Sequence, residues 1–342
     1  GDMAGDYYFP SAALKLQPTK NFSFGLIYDQ PFGADAEYKS TVGFTSPTLG
    51  NTEVEVDTQN LAVILGYQPT ENFNIYGGGV YQTIKGNVKL RGAAYGGAAA
   101  FGGYNASIKE DSAAGWLAGF AYQIPEIALK ASITYRSEVE HSVAVDESSV
   151  GTGQLTAVMN NPALAGANAT GETDITTPQS VNLDFQTGIM ANTVAFANVR
   201  WVNWKDFSIR PYAFGVASKL AGPAVGKPDG FDLVAYTDDQ WSANVGVGRK
   251  LNDQWAGNVS VGWDSGAGNP VTTLGPTEGY WNVGLGVQYS PTPATFIAGG
   301  VKYFWLGDAK AQSGAQFDTA NYVAEFEGND ALAYGLKIGY KF

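Results

Sequence analysis

The chain has 342 residues, of which 44 are Gly and 13% are aromatic, and it carries a formal net charge of -12. This acidic balance argues against a nucleic-acid partner, because phosphate binding needs clustered Lys and Arg, and the lack of Cys rules out disulfides and thiolate chemistry. Only 15% of the residues are charged, against about 25% in soluble domains, and the mean hydropathy is -0.12. This composition fits strands with one face in lipid and the other in water.

Apolar and polar residues alternate with a period of two, which places successive side chains on opposite faces of a strand. The alternation predicts about 13 strands, starting near residues 7, 21, 57, 73, 113, 127, 178, 194, 234, 255, 280, 295 and 330. Trp or Tyr terminates many of the apolar faces, as at Trp255 and Trp263 or at Trp281 and Tyr289. Aromatic rings at both ends of an apolar face are typical of a membrane-spanning strand. The predicted fold is all-β, a transmembrane antiparallel up-and-down β-barrel.

Short and long connections alternate along the predicted strands. Short links fall at 18–20, 69–72, 124–126, 191–192, 252–254 and 290–294, and long ones around 31–56, 92–112, 146–175, 211–232, 266–278 and 313–328. Outer-membrane barrels have short periplasmic turns and long extracellular loops. The pattern therefore predicts a bacterial outer-membrane location, with outer-membrane lipids and lipopolysaccharide around a monomeric barrel.

The strand count has a consequence for topology. The first predicted strand ends at a short turn, so it would run from the outside to the periplasm, whereas single-chain bacterial barrels have an even number of strands. We therefore expect residues 1–342 to form a single barrel domain that lacks a first strand, with 14 strands when intact. The last strand alternates up to Phe342, which resembles the signal that the barrel-assembly machinery recognises.

Several segments resemble the FadL family of outer-membrane transporters, which includes toluene-uptake and OmpP1 proteins. They are DQPFGADAEY (29–38), ITYRSEVE (133–140), TTPQSVNLDFQTGI (176–189), VRWVNWKDFSI (199–209) and ALAYGLKIGYKF (331–342). The loop AAYGGAAAFGGYN (93–105) is most similar to an alphaproteobacterial branch. The resemblance implies a 14-stranded barrel that passes hydrophobic compounds, an N-terminal hatch that this chain lacks together with the first strand, and a side opening beside a kinked strand.

The strand that corresponds to the kinked one is the second in this chain. Its outer face is interrupted at Pro31, Phe32 and Gly33, where Pro cannot donate to the ladder and Gly relaxes the backbone. These three residues are the candidates for a lateral gate. The alternative is an ordinary strand end entering a loop, with Phe32 packing there.

Inward-facing cations could hold a carboxylate headgroup. The candidates are Lys130, Arg136, Arg200 and Lys302, and Arg136 stands out because it lies within a family-like segment. The alternative is that such charges pair with one another across the barrel. Trp204 and Phe207 are the apolar candidates for ligand contact, although Trp204 could simply pack against a loop.

His141, the single histidine, has a parity that predicts an interfacial position on the outer face. We predict no catalytic residue, metal site or cofactor, since neither a serine partner nor a cluster of metal ligands accompanies it. The predicted function is passive uptake of lipid-like or detergent-like hydrophobic molecules, either fatty acids or aromatic hydrocarbons. The alternative is a general porin or a structural barrel whose loops serve surface contact.

Overall fold

The fold is that of a computed structural model, which describes residues 3–39, 43–163 and 172–342. Thirteen antiparallel strands form one ladder in which each pairs with the next. They are β1 (Ala12–Leu16), β2 (Phe22–Asp29), β3 (Glu53–Tyr67), β4 (Phe73–Lys89), β5 (Tyr104–Ile124), β6 (Leu129–Arg136), β7 (Ser180–Met190), β8 (Thr193–Val202), β9 (Gln240–Lys250), β10 (Trp255–Asp264), β11 (Tyr280–Thr292), β12 (Thr295–Leu306) and β13 (Asp330–Tyr340). The predicted fold and strand count are confirmed. Within the described residues β1 and β13 are the two ends of the ladder, and a fourteenth strand stays a prediction.

Five strands start at the predicted residues: β4, β10 and β12 after tight hairpins, and β11 and β13 after long loops. Four starts differ by four residues or more, and β3 is one of them, since it begins at Glu53 rather than near residue 57. β1 begins at Ala12, five residues late, and β5 begins at Tyr104, nine residues early. β9 begins at Gln240 because the preceding Val234–Ala235 segment pairs with Ser208–Ile209 instead.

The two faces of the wall meet different surroundings. On β10 the outward Val259 is 54% exposed, and on β11 the outward Leu285 is 61% exposed, whereas the inward Asn258 packs its side chain over Gly286. A row of tryptophans crosses the outer face near the loop end, with Trp263 opposite Trp281 and Trp281 opposite Trp305. Trp255 pairs with Tyr289 near the other end.

These two aromatic levels mark the borders of the lipid-facing band. Trp255 and Trp263 are eight residues apart on one strand, a distance of about 27 Å along the strand. Because the strands of such barrels are tilted by about 40° from the membrane normal, this corresponds to about 20 Å across the membrane. That height is close to the roughly 25 Å apolar band of outer-membrane barrels.

The connections between the wall strands carry their own secondary structure. The helices are α1 (Gln154–Met159) and α2 (Tyr212–Ala221), and the 3-10 helices are Ala93–Tyr95, Gly97–Ala99, Pro125–Ile127, Trp204–Asp206, Gly222–Val225 and Gly314–Gln316. The short strands are Gly33–Glu37, Thr45–Ser46, Gly50–Asn51, Val139–Val143, Val145–Ser149, Thr173–Thr177, Ser208–Ile209, Val234–Ala235, Val271–Thr272, Ala309–Gln312 and Ala324–Phe326. Neither α1 nor α2, nor any other helix in the described part of the chain, is long and apolar enough to cross a membrane.

The largest buried apolar cluster lies among these loops and the loop ends of β3, β4 and β5. Tyr38 stacks on Phe44 with ring centroids 4.2 Å apart, and Phe101 packs against Phe214 of α2 at 4.8 Å. This core is separate from the lipid-facing aromatics, which are exposed in the isolated chain. The loops therefore fold as a packed cap over one end of the barrel.

Val259 and Asn258 offer a test of which face meets lipid, because they are neighbours at one depth on opposite faces. We expect Val259→Arg to lower the free energy of unfolding in phospholipid vesicles by about 2–4 kcal/mol, since the guanidinium would enter hydrocarbon. The matched Asn258→Arg should change it by less than about 1 kcal/mol. Equal losses in denaturant titrations of the two variants would contradict the assignment of the faces.

Candidate functional site

The wall is interrupted where β2 ends. Asp29 pairs with Asn60, and the ladder resumes on the same neighbouring strand with Gly33 opposite Asp57. Three residues of one strand therefore face two of the other, which is a bulge with one extra residue. Pairing with β3 is interrupted at residues 30–32 and resumes at Gly33. The lateral gate at Pro31, Phe32 and Gly33 stays a prediction.

A threonine takes over the hydrogen bonds that the bulge removes. The backbone N–H of Phe32 donates to Thr58 Oγ1 at 2.9 Å, and the same hydroxyl donates to the Phe32 carbonyl at 2.6 Å. These bonds join two strands through a side chain, so the backbone here is held without a regular ladder.

A polar cavity of about 160 Å³ opens inside the barrel beside this interruption. We call it the polar cavity; it is lined by Asp29, Pro31, Phe32, Asn60, Val80, Gln82, Trp116, Arg136, Ser137, Val139, Thr177, Pro178, Ser180, Asn182 and Arg200. Two of the predicted lumen cations, Arg136 and Arg200, thus meet two of the predicted gate residues, Pro31 and Phe32.

The charges in the polar cavity are only partly balanced. Nη1 of Arg136 lies 4.0 Å from Oδ2 of Asp29, which is the loose end of the range for an ion pair. Nε of Arg200 and Oδ1 of Asp29 are buried and have no hydrogen-bond partner. A buried N–H of a guanidinium that donates to nothing is costly, so the cavity is suited to an added acceptor such as the oxygen of an anion.

The predicted apolar residues form an aromatic cluster on the flank of the polar cavity. The ring of Trp204 lies 5.5 Å from Phe32, 5.1 Å from Phe207 and 5.0 Å from Tyr236, measured between centroids. The indole N–H of Trp204 donates to Gln240 at 2.8 Å. Burial raises the pKa of Tyr236 to about 12, so its hydroxyl stays neutral. Tyr236 was not identified from the sequence because its loop has no periodic pattern.

The other two predicted cations lie elsewhere. Lys130 is exposed on β6, where it pairs with Gln186 of β7. Lys302 lies on β12 with its aliphatic stem against Gly284 of β11. Neither residue lines the polar cavity.

The prediction for His141 is wrong. β6 ends at Arg136, and Ser137 is held to Trp116 by two hydrogen bonds of 2.9 Å, after which the chain leaves the wall as the strand Val139–Val143. The parity count is lost across this break, and His141 is 1% exposed inside the molecule. Val139, which follows the same break, is likewise buried and lines the polar cavity.

A buried carboxylate fastens the loop helix α2 to the cap. Glu147 accepts hydrogen bonds from the backbone N–H groups of Ala213 and Phe214 at 2.7 and 2.8 Å, and from the Tyr104 hydroxyl at 2.7 Å. A negative charge at a helix N-terminus is favourable because the free N–H groups point toward it. Glu147 therefore holds helix α2 in place. The sequence pattern alone could not identify Glu147 as the residue that does this.

A second carboxylate lies in an acidic corner of the loop before β11. Burial, together with the nearby Asp238 and Asp264, raises the pKa of Glu278 to about 6, and its buried Oε2 has no hydrogen-bond partner. No group of three His, Asp or Glu side chains suited to a metal ion exists in the described ranges.

The comparisons with known proteins agree with this architecture. The model of the family described as outer membrane protein transport protein (OMPP1/FadL/TodX) matches residues 1–342. No curated protein matches the chain.

The solved structures that it resembles include a Pseudomonas aeruginosa FadL homologue, with a TM-score of 0.67 and 15% identity over 96% of this chain and 75% of that one. They also include the Pseudomonas putida toluene transporter TodX, with a TM-score of 0.56 and 13% identity over 87% and 77%. At these identities the likeness is one of fold alone.

The raised pKa of Glu278 predicts a pH-dependent stability. Its folded-state value lies above the unfolded value, so its contribution is present at low pH and is lost as pH rises through about 6. We expect Glu278→Gln to raise the thermal midpoint at pH 8 by about 1–2 °C, a small gain because the group is half exposed, and to change nothing at about pH 3, below the unfolded value of 4.5. Glu126→Gln, in an exposed turn, is the control. A lower midpoint for Glu278→Gln at pH 8 would contradict this.

Proposed function

The chain belongs to the OMPP1/FadL/TodX family and is an outer-membrane transporter of hydrophobic compounds, and from that premise we propose that its ligand is an amphipathic acid such as a fatty acid. This family consists of transport channels, so the chain is a channel and not an enzyme. Family membership favours hydrophobic uptake over a general porin.

The unpartnered Nε of Arg200, beside Arg136, is the observation that carries this proposal. Two guanidinium groups and one carboxylate, Asp29, line the polar cavity, and Asp264 outside it also interacts electrostatically with Arg200. A carboxylate headgroup supplies the missing acceptor together with a negative charge inside the cavity. A hydrocarbon without polar atoms would leave the guanidinium N–H unpaired at a cost of about 1–3 kcal/mol.

The aromatic cluster supports a second candidate, a monoaromatic hydrocarbon. Phe32, Trp204 and Phe207 offer ring faces and edges on which another ring can pack. The transporter TodX, to which the chain is similar, is by name a toluene transporter. In our proposal the same rings hold the alkyl chain of the acid while its headgroup lies in the polar cavity.

We place the exit in the wall at residues 30–32. The polar cavity is lined by Pro31 and Phe32, so a ligand held there already contacts the interruption. Among the described residues, the Thr58 side chain alone is hydrogen-bonded to the backbone of residues 30–32. Backbone groups freed in hydrocarbon are costly, so an opening is cheapest where the regular ladder is already absent.

Arg136 and Arg200 give the test of the ligand class. Arg136→Gln and Arg200→Gln should each weaken palmitate binding by about tenfold or more, since a charge-assisted hydrogen bond contributes about 1.5–3 kcal/mol, and toluene binding should stay unchanged. Equilibrium binding to the barrel in phospholipid vesicles measures both. Lys130→Gln is the matched control, a lumen cation outside the cavity. Unchanged palmitate affinity in both arginine variants would refute the proposal.

The exit route can be tested by repairing the wall. Deleting Gln30 leaves two residues opposite Thr58 and Gln59, which restores equal spacing on the two strands. We expect ligand uptake into vesicles to fall about tenfold or more while palmitate affinity is retained, because only the route is closed. Deleting Ile189, the extra residue of the bulge at the β7–β8 turn, is the control. Normal uptake by the Gln30 deletion would exclude this exit.

A further inference from the structure

The buried His141 is joined to the polar cavity through a single residue. Its Nδ1 lies 2.9 Å from Oδ2 of Asp111, and its Nε2 lies 3.0 Å from Oε1 of Gln82. Gln82 lines the polar cavity, whereas His141 does not. The imidazole therefore lies in the layer of side chains directly behind the lining of the proposed ligand site.

The Gln82 amide turns its oxygen toward His141 and Thr177 and its nitrogen toward Asn60. Its Oε1 accepts from the Thr177 hydroxyl at 2.7 Å, and its Nε2 donates to Oδ1 of Asn60 at 2.9 Å. Asn60 and Thr177 also line the polar cavity. The direction in which the Gln82 amide points thus determines which polar groups the cavity wall presents.

Both ring nitrogens of His141 face acceptors, which only the protonated imidazolium can satisfy, since it alone donates from both nitrogens. A neutral ring donating from Nδ1 to Asp111 would turn Nε2 into an acceptor facing the oxygen of Gln82. To avoid that contact the Gln82 amide must rotate and turn its oxygen toward Asn60. The protonation of the His141 ring therefore determines which of the two side-chain amides donates the hydrogen bond between Asn60 and Gln82.

The groups around the His141 ring determine how its protonation changes the net charge beside the polar cavity. β5 supplies Asp111, the one charged group with a hydrogen bond to the ring among the described residues. β4 supplies Gln82, and the strand Thr173–Thr177 supplies Ile175 as the cross-strand neighbour and Thr177. Protonated, the His141–Asp111 pair is neutral; deprotonated, it carries one negative charge beside the cavity.

We propose that His141 is a positioning residue that makes the affinity for an anionic ligand depend on pH, with tighter binding when the ring is protonated. This rests on the proposed function, since it concerns the same cavity. Histidine changes charge between pH 5 and 8. A unit charge about 10 Å away through protein of intermediate dielectric changes the affinity by about fivefold.

The chain's single histidine makes a direct test possible. The probe is decyl sulfonate, which stays anionic from pH 5 to 8, and decanol is its neutral counterpart. With 15N-histidine in the untagged barrel in phospholipid vesicles, the ring nitrogen shifts report protonation against pH. By linkage, saturating decyl sulfonate should raise the titration midpoint by about 0.7 pH unit, the equivalent of fivefold. Decanol should leave it unchanged.

Binding measurements separate the proposals. We expect decyl sulfonate to bind about fivefold more tightly at pH 5.5 than at pH 8, and His141→Gln, which keeps an amide for hydrogen bonding, to abolish that difference while retaining a preference over decanol. A sulfonate preference that is the same at both pH values in the unaltered chain, with an unmoved midpoint, overturns the role of His141 alone. Absence of any preference over decanol overturns the proposed function and this inference together.

Discussion

The structure depends on the requirement that every backbone N–H and C=O inside hydrocarbon be hydrogen-bonded within the protein. Within the described residues, eleven strands meet it on both edges by pairing with their neighbours in the order of the sequence, and β1 and β13, at the ends of the ladder, meet it on one edge. The requirement also explains the bulge after Asp29, where Thr58 supplies a donor and an acceptor to Phe32 in place of the regular ladder. Because one side chain holds the wall at this bulge, the wall can open there without unpairing the strands on either side of the bulge.

The same wall separates two environments for side chains, and a third arises in the loops. Outward residues such as Val259 face lipid, and inward residues such as Asn258 face the lumen. Above them the cap buries Tyr38, Phe44 and Phe214 as a soluble domain would. The polar cavity lies beside the wall bulge, with Arg200 and Asp29 only partly paired. We regard this incomplete pairing as the feature that selects the ligand.

The sequence predicted the features that a period of two and the turn residues determine, and little else. Strand starts at Phe73, Trp255 and Thr295 are set by the tight turns before them. The odd–even alternation could not be followed beyond Arg136. Two irregular residues follow it, and they removed the parity on which the predicted position of His141 depended. Helix α2 and Tyr236 lie in long loops whose packing is set by contacts far apart in sequence, such as Glu147 with Ala213. Arg136 and Arg200 could be placed in the lumen by parity, but only the fold shows that they share one cavity.

The central claim is that the two guanidinium groups receive the headgroup of an amphipathic acid beside the wall bulge. A crystal structure of the chain with a bromoalkyl carboxylate tests it most directly, since the anomalous signal of bromine locates the far end of the alkyl chain independently of the headgroup. We expect carboxylate oxygens within hydrogen-bonding distance of Arg136 and Arg200, with the bromine near Trp204. A headgroup outside the polar cavity, with both arginines unchanged, would contradict it.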